Sequence, residues 1–176
     1  ATKLLFFPLS VLLIFIISVI LCSCSSHPSI QSVQGKGFGH IISLDGLWEV
    51  EQGDMDSIPD SFSHKVLVPG LLKTAQPSFE ELGIISQKRE AFWYKTTFSI
   101  KHEVPDFADL VVFKAKYGLK VYLNGNVVGE KYHNFTRQLF NLKPFLKGNG
   151  QENTLIVRVG AHISNCPPDV CTGGDI

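Results

Sequence analysis

The sequence lacks a net charge and a basic cluster, and it is too short for a (β/α)₈ barrel. Its 16 Lys and Arg balance its 16 Asp and Glu, so the formal net charge at pH 7 is +0. Lysine and arginine never occur as more than two neighbours, so there is no strong positive field and nucleic-acid binding is disfavoured. The 176 residues suffice for one ordinary domain, whereas a (β/α)₈ barrel needs about 200–250 residues.

Helical periodicity and common catalytic motifs are absent as well. Beyond residue 40, no long window carries apolar residues at the helical spacing of about 3.6 residues. The one helical hint is residues 78–82, where Ser78 would cap a short turn that carries Glu80 and Glu81. No glycine-rich phosphate loop, nucleophile elbow or Ser/His/Asp set stands out. The sequence therefore offers no catalytic centre of these kinds.

The most apolar run of the chain lies at its start. Residues 4–21 read LLFFPLSVLLIFIISVIL and carry no charge. The run ends in Leu21-Cys22-Ser23-Cys24, which resembles a bacterial lipobox, in which the last cysteine receives a lipid and becomes the new N-terminus. We expect residues 1–23 to be a cleaved lipoprotein signal peptide and Cys24 to be the lipidated residue. An uncleaved membrane anchor is the alternative, because the run is long enough to span a bilayer.

The segment after the lipobox is rich in serine and predicts a flexible tether over residues 24–40. With a lipid on Cys24, the protein would be held at a membrane of the bacterial cell envelope, in the periplasm or at the cell surface. The lipid anchor would then be its contact with the membrane.

The rest of the sequence alternates apolar and polar residues with a period of two, which indicates β-strands. In residues 91–100, Phe92 and Tyr94 fall on one side, and Trp93 and Lys95 fall on the other. Asn124-Gly125 between two such runs predicts a β-hairpin, because both turn residues must adopt positive φ.

Further strands are predicted at residues 47–51, 65–68, 110–117, 119–123 and 155–159. Within residues 110–117, the alternation puts Val111, Phe113, Ala115 and Tyr117 on one side. Short strands separated by regular turns predict an all-β fold, either a sandwich or a barrel.

Five phrases follow one another along residues 44–159. They are LDGLW (44–48), VPG (68–70), FWYKTTF (92–98), VYLNG (121–125) with VG (128–129), and NTLIVRV (153–159). In this order they resemble the N-terminal sugar-binding-type domain of glycoside hydrolase family 2, the family of β-galactosidases, β-glucuronidases and β-mannosidases. The stretch EKYHNFTR (130–137) departs from the family, which tends to have a Gly-Gly pair and a proline there.

The resemblance implies a jelly-roll β-sandwich of the galactose-binding-domain type over residues 41–162. Residues 163–176 would begin a linker to downstream domains. In this fold Trp48, Asn124 and Gly125 are expected to be architectural residues.

The resemblance also implies a parent enzyme that hydrolyses β-linked sugars with retention, by two carboxylates about 5–5.5 Å apart. Both carboxylates belong to the family's barrel domain, so no catalytic residue is assigned in this chain, and we expect it to be inactive alone. Neither a metal nor a cofactor is expected. The expected partners are an oligosaccharide or glycoside substrate and the parent's own C-terminal domains. The alternative is a stand-alone surface lipoprotein that binds carbohydrate without catalysis.

Four residues are candidates for carbohydrate binding: Arg89, Glu90, Trp93 and Asp175. Trp93 lies on the polar side of its predicted strand, next to Arg89 and Glu90, and an exposed indole stacks well on a sugar ring. Its competing interpretation, which we favour, is packing beneath a neighbouring loop or at a domain interface. For Asp175, a simple turn carboxylate is the competing interpretation.

Cys166 and Cys171 enclose a short loop that allows a disulfide, as expected in an oxidising compartment. Free thiols are the second interpretation. A metal site is the third, since His162 is the one further ligand nearby. Asn134-Phe135-Thr136 also matches the N-glycosylation pattern, but the lipobox points to a bacterial protein.

Overall fold

Within the described part of the chain, the regular structure consists of antiparallel strands and two short 3₁₀ helices. The computed structural model describes residues 39–82, 90–133, 135–161 and 165, and the backbone of 32–34. The 3₁₀ helices are Leu72–Thr74 and Lys143–Phe145. The strands are β1 (Ser32–Gln34), β2 (His40–Ile42), β3 (Gly46–Gly53), β4 (His64–Val68), β5 (Ala91–Ser99), β6 (Asp109–Val112), β7 (Leu119–Leu123), β8 (Asn126–Lys131), β9 (Gln138–Asn141) and β10 (Glu152–Val159).

Six of the strands form one antiparallel sheet in the order β4-β3-β5-β10-β7-β8, and β6 pairs with β9 in a second sheet. The hydrophobic core lies between the two sheets. The large sheet contributes Val50, Tyr94 and Val157, and the small sheet contributes Leu110 and Phe140. The fold is therefore an all-β antiparallel sandwich, as the sequence predicts.

The predicted hairpin is confirmed at Asn124-Gly125, which joins β7 to β8. Asn124 has φ 51° and Gly125 has φ 81°, the conformation that favours Asn-Gly in a tight turn. The Asn124 side chain also ties this turn to a neighbouring loop, because its Nδ2 donates to the Phe145 carbonyl at 2.8 Å.

The prediction for residues 110–117 is wrong in part. Strand β6 ends at Val112, which is buried, whereas Phe113 is 70 % exposed. Ala115 is buried again, so the buried positions 112 and 115 stand three residues apart. The chain between Val112 and Ala115 is not a strand, so inward-facing and outward-facing residues do not alternate there. The period of two therefore cannot be extended from residue 110 to residue 117.

Three other segments differ from the predictions. Residues 78–82 form bends and irregular chain rather than a helical turn. β9 was not predicted. Within the predicted tether, Ser32–Gln34 pairs with His40–Ile42 as an antiparallel ladder.

The predicted signal peptide and Cys24 lie outside the described residues. Among the residues that are described, no helix has the length and apolar character needed to cross a bilayer.

Candidate functional site

Two of the four residues predicted to bind carbohydrate fall within the described part of the chain. They are Glu90 and Trp93; Arg89 and Asp175 lie outside it. Cys166, Cys171 and Asn134 lie outside it as well, so their predicted chemistry stays a prediction.

Trp93 lies on the face of the large sheet that points away from the core, yet it is 0 % exposed. Its Nε1 donates to the Asp54 carbonyl at 2.9 Å. Its ring lies 5.8 Å from the ring of Tyr122, centroid to centroid. A Cβ placed on Gly53 would be 3.6 Å from the indole. The indole thus packs beneath a neighbouring loop, and no face of it is open to a sugar in this structure.

Residues 54–59, here called the outer loop, are fastened by side chains of the sheet. The Glu90 carboxylate accepts a hydrogen bond from the Met55 amide at 2.9 Å. Arg158 donates from Nη1 to the Met55 carbonyl at 2.7 Å. Both polar backbone groups of Met55 are therefore satisfied by charged side chains, which form stronger hydrogen bonds than neutral groups do.

Arg158 is the central residue of this arrangement, and sequence reasoning missed it. The side chain is 1 % exposed and forms an ion pair with Glu130 on β8 through Nη2. Its Nε has no hydrogen-bond partner within the described chain. A buried guanidinium is costly unless it is paired, so its carbonyl and carboxylate partners hold it in place. The available signal was an arginine within the otherwise apolar strand LIVRV.

The strand register places one row of residues across this outer face. Neighbouring strands align Glu51, Trp93, Arg158, Lys120 and Glu130. At the β8 end of the row, burial, a hydrogen bond to Glu130 and its negative charge raise the pKa of Tyr132. The tyrosine stays protonated at neutral pH and donates a hydrogen bond to the Glu130 carboxylate.

An open pocket lies at the other face of the sheet, beside the ends of β3 and β4. It has a volume of about 200 Å³ and is lined by Gln52, His64, Ser78, Phe79, Glu80 and Glu81. The His64 ring stacks on the Phe79 ring with 3.9 Å between centroids. His64 Nδ1 lies 2.6 Å from the Pro77 carbonyl, which makes Nδ1 the protonated nitrogen and leaves Nε2 as an acceptor in the neutral ring.

The Glu51 carboxylate lies near the His64 imidazole and is ionised at neutral pH. Burial acts to raise the pKa of Glu51, but hydrogen bonds from Ser63 and Gln52 and the nearby His64 hold it below its usual value. The Ser63 hydroxyl donates to Oε2 at 2.5 Å, and Oε1 lies 3.9 Å from His64 Nε2. Within the described residues, no group of three or more His, Cys, Asp and Glu is arranged to hold a metal ion.

The sandwich and its residue pattern define a domain of the galactose-binding type. Residues 48–168 match the family model described as glycosyl hydrolase 2 galactose-binding domain-like. This match spans more than half of the chain, and the chain belongs to that family. No curated protein matches the sequence.

Solved structures of similar fold include three bacterial β-glucuronidases. The Ruminococcus gnavus enzyme has 21 % identity and a TM-score of 0.50, over 75 % of this chain and 21 % of that one. The Bifidobacterium dentium enzyme, complexed with coumarin-3-O-glucuronide, has 24 % identity and a TM-score of 0.50, over 66 % of this chain and 19 % of that one. The Faecalibacterium prausnitzii enzyme has 15 % identity and a TM-score of 0.53, over 76 % of this chain and 22 % of that one.

At these identities the likeness establishes the shared fold. The chain spans about a fifth of the length of these β-glucuronidases.

Proposed function

We propose that this chain is the N-terminal sandwich of a larger retaining glycoside hydrolase that removes β-linked sugars from glycosides or oligosaccharides. The observation that supports the proposal most strongly is the family match over residues 48–168, together with similar structures that are about five times longer than their matched part. In the parent, the two catalytic carboxylates belong to a separate domain, and the sandwich supports that domain.

The geometry of the outer face fits this supporting role. The outer loop is held at Asp54 and Met55 by hydrogen bonds to the side chains of Glu90, Trp93 and Arg158. These three side chains therefore have a structural role. A rigid loop backed by the sheet is a suitable surface for shaping a neighbouring domain, since functional sites need a supporting shell of fixed side chains.

The test of this proposal compares the parent protein with the 176-residue chain. With chromogenic β-glucuronides and β-galactosides as substrates, we expect the parent to release sugar and the chain alone to release none. β-Glucuronides are the first substrates to try, because the similar structures are β-glucuronidases. Hydrolysis by the purified chain alone would contradict the proposal that the catalytic carboxylates belong to a separate domain. A reading frame that stops close after residue 176 would favour the carbohydrate-binding module instead.

We also propose that a lipid on Cys24 anchors the protein in the bacterial cell envelope. The support is the sequence Leu21-Cys22-Ser23-Cys24 after an uncharged apolar run. In cells fed radiolabelled palmitate, Cys24→Ala is expected to abolish label incorporation and to leave the signal peptide uncleaved in an intact-mass measurement. Cys22→Ala is the matched control and should keep both label and cleavage. Undiminished labelling of Cys24→Ala would refute the lipidation site.

A further inference from the structure

The small sheet turns an apolar outer face to solvent. Leu110, Val112 and Phe140 belong to the hydrophobic core, so the alternate residues of β6 and β9 point away from it. Among these outward residues, Val111 of β6 stands directly opposite Leu139 of β9. Leu139 is 44 % exposed and Val111 is partly exposed. A cross-strand pair of apolar side chains therefore lies on the surface.

Two phenylalanines extend this face beyond the strands. Phe113 directly follows β6, and Phe135 precedes β9; they are 70 % and 56 % exposed. The Phe135 amide donates to the Ala115 carbonyl at 3.1 Å, so the segments that carry the two phenylalanines lie side by side. We call Val111, Phe113, Phe135 and Leu139 the apolar patch. Clustered apolar side chains mark an interaction surface, whereas single ones need no explanation.

The chain leaves the sandwich at the same end of the molecule. The Tyr117 hydroxyl donates to the Asn165 carbonyl at 3.1 Å, and the Asn165 side chain hydrogen-bonds the Tyr132 hydroxyl. Tyr117 belongs to the segment that follows β6, and Tyr132 belongs to the segment that precedes β9. These are the two segments that carry Phe113 and Phe135. Two tyrosines thus hold Asn165 next to the apolar patch.

A second exposed apolar pair lies far from this exit. Leu47 and Leu67 stand opposite each other on β3 and β4 and are 53 % and 61 % exposed. Val159, where β10 ends, aligns with Phe92 and through it with Gln52 near the end of β3. Leu47 is near the start of β3, so this pair lies at the opposite end of the large sheet. It serves below as a control.

The occupant best placed to cover the apolar patch is the domain that follows in the parent. The chain spans about a fifth of the length of the similar β-glucuronidases, so most of the proposed parent follows this chain. A domain joined through the same polypeptide has an effective concentration of about millimolar order at its neighbour's surface. This favours it over a second copy of the chain or a separate protein.

We propose that the apolar patch is the docking surface for the domain that follows the sandwich in the parent protein. The identity of the occupant rests on the proposed function, whereas the location rests on the exposed residues of the small sheet and on the exit at Asn165. The patch side chains carry no hydrogen-bonding group, so the partner surface is apolar and the contact is stabilised by burial of apolar area. Docking fixes the orientation of the sandwich relative to its neighbour.

The test is hydroxyl-radical footprinting of the parent protein and of the 176-residue chain, with the oxidation of each side chain measured by mass spectrometry. We expect Phe113 and Leu139 to be oxidised in the chain and to be at least about fivefold less oxidised in the parent, as in the buried core of an interface. Leu67 is the matched control, an exposed strand leucine outside the patch, and it should be oxidised equally in both proteins.

Two results would overturn the proposal. One is equal oxidation of Phe113 and Leu139 in the parent and in the chain. The other is protection of these residues in a concentrated solution of the chain that disappears on dilution, which would assign the patch to a second copy.

Substitutions test whether the contact is apolar. In the parent, the double variant Phe113→Ser and Leu139→Ser should remove the protection of Phe135, whereas Leu67→Ser should leave it intact. Both patch residues are exposed in the chain, so each single substitution should change the melting temperature of the 176-residue chain by no more than about 2 °C. Unchanged protection of Phe135 in the double variant would refute an apolar docking contact.

Hydrolysis of glycosides is assayed on the same samples. If the parent hydrolyses glycosides but the patch is oxidised equally in both proteins, this inference alone fails. If the patch is protected in the parent but the parent has no hydrolase activity, the proposed function fails and the docking surface remains.

Discussion

Replacing Arg158 by alanine is expected to lower the free energy of unfolding by about 3–5 kcal/mol, the range for removing one partner of a buried ion pair. The side chain is 1 % exposed and its Nη1 donates to the Met55 carbonyl at 2.7 Å. Alanine leaves a cavity between β10 and the outer loop, and it removes the donors for Met55 and Glu130. In a chain of this size, such a loss corresponds to a decrease in melting temperature on the order of 10 °C.

Two variants separate the causes of this loss. Arg137→Ala removes an exposed arginine and should change stability by no more than about 0.5 kcal/mol. Arg158→Met keeps most of the buried volume but removes the charge. The loss in free energy of unfolding that Arg158→Met and Arg158→Ala have in common therefore measures the lost hydrogen bonds and ion pair. A melting temperature of Arg158→Ala equal to that of Arg137→Ala would contradict the role assigned to the guanidinium.

Strands that alternate regularly could be predicted from the sequence. The predicted strand at 91–100 corresponds to β5 (Ala91–Ser99), and the predicted strand at 119–123 is β7. The signal is strong because one face of each strand packs against the core, and this packing requires apolar residues at every second position. The turn at Asn124-Gly125 could be predicted for a separate reason, the need for positive φ.

The burial of side chains on the opposite face of the large sheet could not be predicted from this alternation. Trp93 alternates with core residues and therefore falls on the polar side of its strand; packing beneath a loop is favoured by the large apolar indole, not by the periodicity. The outer loop that buries it comes from about 40 positions earlier in the chain, since Asp54 accepts its hydrogen bond across a sequence separation of 39 residues. Periodicity is a local signal, and it cannot show that a distant loop covers a polar face. The same limit hid the buried position of Arg158.

The pocket was also beyond local reasoning. Gln52 and His64 lie near the adjoining ends of neighbouring strands, and Ser78 belongs to a segment that follows the second strand. No two of these residues share a recognisable motif. They are brought together by the pairing of β3 with β4 and by the bridge between Lys65 and Gln76, which places residues 77–79 beside the start of β4.

Asn153→Ala is the second substitution with a large expected effect. The Asn153 side chain is 0 % exposed. Its Oδ1 accepts hydrogen bonds from the Lys147 amide at 2.8 Å and from Asn124 Nδ2 at 2.9 Å. Its Nδ2 donates to the Lys147 carbonyl at 2.8 Å and to the Gln151 carbonyl at 3.3 Å. One carboxamide thus joins the β7–β8 turn to the loop before β10.

Alanine at this position leaves several polar groups without a partner, and each unsatisfied buried group costs about 1–3 kcal/mol. We expect a loss of about 3 kcal/mol or more in the free energy of unfolding, measured by urea denaturation. Asn141→Ala is the control, since Asn141 is exposed and its Oδ1 accepts a single hydrogen bond from the Lys143 amide. Its loss should cost no more than about 1 kcal/mol.

A double-mutant cycle with Asn124→Ala tests whether the two asparagines act as a unit. Asn124 Oδ1 accepts from the Thr154 amide at 3.0 Å, while its Nδ2 donates to Asn153. Residues that share a hydrogen-bond network show coupling of about 0.5–3 kcal/mol, so the double variant should be less destabilised than the sum of the single variants. Strict additivity would mean that each asparagine stabilises its own loop separately. In that case the segments VYLNG and NTLIVRV would stabilise the fold independently and would not share one hydrogen-bond network.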